Sequence, residues 1–82
     1  MDAFTSLEEL YNRLLPALKN KKREMKREKM LQITEMDIWL YFCRNIWPNK
    51  NNLTLGEMVN DILNTDNFTI YKEAREKNYG TN

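Results

Sequence analysis

The side chains best suited to chemistry lie in one eleven-residue stretch, Lys19-Asn20-Lys21-Lys22-Arg23-Glu24-Met25-Lys26-Arg27-Glu28-Lys29. Wound as a helix, it places Lys19, Lys22, Arg23, Lys26, Arg27 and Lys29 on one half and Glu24 and Glu28 on the other. Such a stretch spans roughly 16 Å, enough for several phosphates. Cations at that spacing bind nucleic acid by releasing counterions, in a salt-dependent and largely sequence-blind manner. The same residues also fit a solvated helix end, with the two glutamates in local pairs, or a face for an acidic protein or membrane surface.

Catalytic chemistry finds little to work with. The chain has no histidine and one cysteine, so a structural zinc site or a His-assisted nucleophile lacks its ligands. Cys43 sits among apolar residues, with no base at i±3 or i±4 to activate it. The carboxylate pairs Glu35/Asp37 and Asp61/Asp66 have no oxyanion donor, glycine loop or nucleophile beside them. The expectation is a protein that is no enzyme, takes no cofactor, metal or small-molecule substrate, and works by binding.

The overall balance conceals the basic stretch. Thirteen Lys and Arg face twelve Asp and Glu in 82 residues, for a net +1. By segment, residues 1–18 hold Asp2, Glu8 and Glu9 against Arg13, or −2. Residues 19–29 hold seven bases against two acids, or +5, and residues 30–82 hold five bases against seven acids, or −2. A chain this short has room for a single domain. Its lone cysteine excludes an internal disulfide, so a reducing, cytoplasmic setting is expected. The longest apolar run, Ile38 to Cys43, is far short of the roughly 20 residues of a membrane span. The start, Met1-Asp2-Ala3-Phe4, lacks the basic and apolar regions of a signal peptide.

Two glycines and two prolines favour helices over hairpins, and three capping-box patterns mark where helices start. They are Ser6-x-x-Glu9, Thr34-x-x-Asp37 and Thr54-x-x-Glu57. The pattern predicts an all-α bundle of three main helices and a short fourth. Helix 1 covers about 5–29 and is kinked near Pro16, or else restarts there. Helix 2 covers 35–47, ended by Pro48; its apolar arc, about 200° wide, marks the central element, and a homodimer would show the same arc. Tyr41 falls on its polar side with Asp37, Arg44 and Asn45. Helix 3 covers 55–64, helix 4 covers 67–77 with a fresh cap at Asp66, and 78–82 is a frayed tail. Leu14, Leu18, Trp39, Phe42, Cys43, Val59 and Ile62 form the expected core. Trp39, Phe42 and Trp47 also have the makings of a stacking platform, with Trp47 partly exposed beside Pro48. A helix-turn-helix reading fails, because the helix after Thr54 carries Glu57 and Asp61 and no base.

Three segments in order resemble the small post-transcriptional regulator family of Gram-positive bacteria, the ComN-like competence regulators. They are Leu15-Pro16-Ala17-Leu18-Lys19, Ile33-Thr34-Glu35-Met36-Asp37-Ile38-Trp39, and the stretch from Leu55 to Leu63 with its Val59-Asn60-Asp61-Ile62-Leu63 core. Where relatives carry Gly-Tyr before the Thr-Glu segment, this chain has Met30-Leu31-Gln32. The resemblance implies control of messenger-RNA abundance without catalysis. It also implies association with a coiled-coil scaffold of the DivIVA kind at septum and poles. Thr34, Glu35, Trp39, Val59, Asn60, Asp61 and Ile62 carry over from it. Helix-start and core roles account for the others, so Asn60 and Asp61 are either bonded locally or contact a partner. The leading expectation is a protein–protein adaptor using Asn60, Asp61 and Trp47; the alternative is direct RNA binding by the basic face of helix 1.

Overall fold

In α1, Leu7–Arg27, residues Leu10, Leu14, Ala17, Leu18, Lys21 and Met25 recur every three or four positions and form the buried stripe. The computed structural model describes residues 7–79, so the Ser6 cap and both extremities of the chain lie outside the described residues. Pro16 stands inside α1 without breaking it, and no restart occurs. Its ring cannot donate to the Asn12 carbonyl, but Asn12 and Pro16 are both exposed, so that acceptor is open to solvent.

The helix ends at Arg27, two residues before the expected Lys29, because the chain turns left-handed. Lys29 has φ 68°, its N–H donates to the Lys26 carbonyl at 3.0 Å, and Met30 N–H donates to Met25 at 2.9 Å. This is a Schellman stop, with a lysine where glycine is the usual resident. It turns Met30 back onto the core, where Met25 is fully buried.

The second helical stretch departs from its expected regular form. The Thr34 capping box is complete: Asp37 N–H donates to Oγ1 at 3.1 Å and Thr34 N–H donates to the Asp37 carboxylate at 3.0 Å. Helix α2 runs only Glu35–Tyr41, followed by a π-helical turn, Phe42–Ile46, and a 3₁₀ turn, Trp47–Asn49. Pro48 does not end the path; it lies in the first positions of the 3₁₀ turn, where its missing N–H leaves no intrahelical bond unmade.

The wider turn changes which side chains face inward. Trp47 N–H donates to the Phe42 carbonyl five residues back, and the Phe42 and Trp47 rings stack with centroids 5.2 Å apart. Trp47 is therefore 8% exposed, contrary to the expectation of a partly exposed edge residue. Tyr41 is likewise buried, because α4 covers the side of α2 that a lone helix would turn to water. Burial, then the charges of Glu73 and Asp66, hold its hydroxyl above the usual tyrosine range.

Helix α3, Leu55–Asn64, starts at a complete Thr54–Glu57 capping box and buries Met58 and Ile62. Helix α4, Asn67–Tyr79, starts where Asp66 accepts from Thr69 N–H at 2.9 Å, and it runs beyond the expected residue 77. The architecture is all-α: α1 packs on α2 and α3, and α2 packs on α4. Leu14, Leu18, Met25, Ile38, Phe42, Ile62 and Ile70 are the fully buried side chains, each stabilising the fold by about 1.5–3 kcal/mol. Trp39 is buried, whereas Cys43 and Val59 are half-buried and pack against the edge of the core.

Candidate functional site

Two polar regions could meet a partner. The first surrounds α3. Asp61 lies on its polar side, yet its carboxylate accepts from Trp47 Nε1 at 3.0 Å and from Lys50 Nζ at 3.0 and 3.2 Å. Asp61 thus satisfies a buried N–H and ties Lys50 across the loop, a local structural role. Asn60 is exposed, and its carbonyl and Oδ1 accept from Asn64 Nδ2 at 2.8 and 2.7 Å. The structure therefore brings Asp61 and Trp47 together and buries the Trp47 ring, while Asp61 stays half-buried. Asn60 and Asp61 both line an open hollow with Lys50, Thr54, Gly56 and Glu57.

The second region is the basic end of α1. Lys19, Arg23, Lys26, Arg27 and Lys29 are exposed and Lys22 is half-buried. Arg23 donates to Asn20 Oδ1 at 2.9 Å, and Lys22 Nζ donates to Glu35 Oε1 at 3.5 Å. The side chains of Lys26, Arg27 and Lys29 make no hydrogen bond or ion pair among the described residues. Glu35 sits at the first position of α2. A hydrogen bond from its own backbone N–H holds its carboxyl below the usual range; burial opposes this, and the Lys22 and Lys19 charges reinforce it.

Lys21 is the residue the charge pattern conceals. It belongs to the basic stretch by sequence but points inward, its side chain 3% exposed, against 41% for Lys22. Its Nζ donates to the carbonyls of Leu63 at 3.3 Å and Thr65 at 2.8 Å, and pairs with Glu24 at 3.5 Å. The lysine thereby caps the C-terminal end of α3, where the helix carbonyls concentrate negative potential. Its position in phase with Leu14, Leu18 and Met25 was the available signal. Glu28, expected to pair locally, instead accepts from Asn67 Nδ2 at 3.0 Å and joins α1 to α4.

The aromatic rings do not form an open platform. Trp39 meets Tyr11 and Trp47 edge to face, at 5.5 and 5.8 Å, within the core. Burial pushes the Cys43 thiol up, with only the Arg44 charge opposing, which leaves it protonated and poorly nucleophilic. Among the described residues, no group of three or more His, Cys, Asp or Glu could hold a metal ion. No described helix is long and apolar enough to cross a membrane.

A family model described as post-transcriptional regulator matches residues 7–71, from the start of α1 into α4. Among curated proteins and among solved structures, none matches.

Proposed function

The chain belongs to the post-transcriptional regulator family, and from that premise we propose that it acts by binding alone, as a protein–protein adaptor in the control of messenger-RNA abundance. The observation that carries this reading is the division of labour among its polar side chains. Asp61 and Lys21 hold helical segments to one another and the two threonine caps close their own helix starts, whereas Lys26, Arg27 and Lys29 face outward beside exposed apolar surface. Such a surface supports recognition. A role in competence, recruitment by a DivIVA-like scaffold and a place at septum or poles in the cytoplasm belong to the same proposal.

A pull-down of the tagged chain from its native lysate, with and without nuclease, tests this. A protein partner retained after nuclease treatment supports the adaptor; loss of every partner on treatment overturns it. The six-cation face favours one second reading, direct RNA binding. Under that reading, replacing Lys22, Arg23, Lys26 and Arg27 by Ala weakens RNA binding and flattens its log–log salt dependence. Absence of binding at low salt removes it.

A further inference from the structure

The loop between α1 and α2 is unusual in both conformation and surface. Lys29 and Gln32 each adopt φ 68°, the left-handed region that non-glycine residues rarely enter. Between these two positions Met30 packs on the core and Leu31 is held outward, 50% exposed; beyond them Ile33 is buried. The result is an open groove of ≈ 600 Å³ lined by Lys22, Lys26, Met30, Leu31, Ile33 and Thr34 along with Gln32. A second hollow of ≈ 340 Å³, lined by Lys19, Lys22, Arg23, Lys26 and Glu35, shares Lys22 and Lys26 with it. The two form one continuous surface, apolar at the loop and cationic along α1.

We propose that this groove docks an acidic segment of a protein partner, its carboxylates along Lys19, Lys22, Arg23 and Lys26 and an apolar side chain against Leu31 and Met30. The inference rests on the adaptor reading and names its surface. Lys19 and Lys26 lie seven residues apart on α1, a span of about 10 Å, which matches two turns of a partner helix with acids at i, i+3 or i+4, and i+7. The chain already displays the complementary chemistry, since Glu35 lies in the same hollow against Lys22 Nζ. Clusters of cations rimming an apolar floor combine electrostatic steering with an anchor that excludes water.

RNA fits this surface less well. Among the described residues, no aromatic side chain lines either hollow to stack with unstacked bases. Phosphates would meet the lysines but leave Leu31 and Met30 uncovered.

Site-specific photo-cross-linking in the native cell tests the proposal, with a benzophenone amino acid replacing Leu31 in the full chain and, as a control, replacing exposed Leu63. The expected product at Leu31 is a protein whose attached peptide is net acidic and carries an apolar residue at the linkage. Lys26→Glu lowers its yield about tenfold, the size of effect expected for reversing a charge at a docking rim. Circular dichroism melting of Lys26→Glu checks that the fold is retained, and Lys26→Gln serves as a milder variant if it is not. Nucleic acid at Leu31, a peptide without acids, an equal yield in the folded variant, or no product above the Leu63 control overturns the proposal. If the nuclease-treated pull-down retains a protein while Leu31 yields no product, the groove falls and the adaptor stands. If the pull-down retains none, both fall.

Discussion

Lys21 and Lys22 are neighbours of the same type, and they divide the protein's polar chemistry between them. Lys21 turns inward to the last carbonyls of α3, much as Asp61 turns to the Trp47 indole and Lys50. Lys22 turns outward to a groove where Lys26 has no partner of its own among the described residues. Around α3, polar groups complete one another and the fold depends on them. At the end of α1, the side chains of Lys26, Arg27 and Lys29 make no hydrogen bond or ion pair among the described residues, and the proposed partner would supply their pairing. The difference shows that a residue's type is less informative than whether its hydrogen bonds close within the chain.

The comparison breaks most visibly at Lys21. Lys21→Ala removes the bonds to Leu63 and Thr65 and is expected to cost about 3 kcal/mol in chemical denaturation, because helix-end carbonyls lose a charged donor. Lys26→Ala, five residues further and on the outer strip, should stay within about 0.5 kcal/mol of the parent. Equal losses in the two variants would erase the distinction.

Asp61→Ala comes next, at about 2 kcal/mol, since the buried Trp47 N–H loses its acceptor. Tryptophan fluorescence should shift as the indole environment changes. A variant as stable as the parent that nevertheless loses its partner would return Asp61 to the binding surface.

Lys29→Gly has the opposite sign. Relieving the left-handed lysine at the Schellman stop should stabilise the chain by about 1 kcal/mol, read as a rise in Tm of roughly 4–8 °C. Full partner binding by this variant would show that the loop conformation matters more than that particular charge.

Glu35→Gln gives the smallest effect. Its half-buried, 3.5 Å pairing with Lys22 is expected to contribute about 0.5 kcal/mol. Because the folded carboxyl titrates below its unfolded counterpart, that contribution is present above the ordinary carboxylate range and fades as pH falls through the lowered value. Parent and variant melting curves should therefore converge on acidification; divergence would mean that Glu35 is not held ionised by this end of the molecule.

Much of the architecture was legible locally. Thr34 with Asp37 and Thr54 with Glu57 mark helix starts because a cap and its third residue satisfy each other's backbone groups without outside help. The spacing of Leu10, Leu14, Leu18 and Met25 exposes the buried stripe of α1 for the same reason of locality. The Schellman stop at Lys29 was hidden, since nothing about a lysine announces a left-handed residue. Trp47 was misplaced because Pro48 beside it marked a helix end, and Tyr41 because a uniform turn angle assigns faces to an isolated helix. Here a π turn rotates one ring inward, and α4 covers the other.

Read alone, the chain settles an all-α fold, its helix starts, its membership of a regulator family and the concentration of charge in residues 19–29. The fold, the helix starts and the charge concentration follow from composition, short-range hydrogen bonding and 3.6-residue periodicity, which act within a few residues, whereas the family rests on the match over residues 7–71. Which of those charges face a core, which face a groove, and whether Asp61 has a partner at home depended on contacts between helices far apart in sequence. Lys21 meets Thr65 across 44 positions, a closure that packing creates and no local pattern encodes.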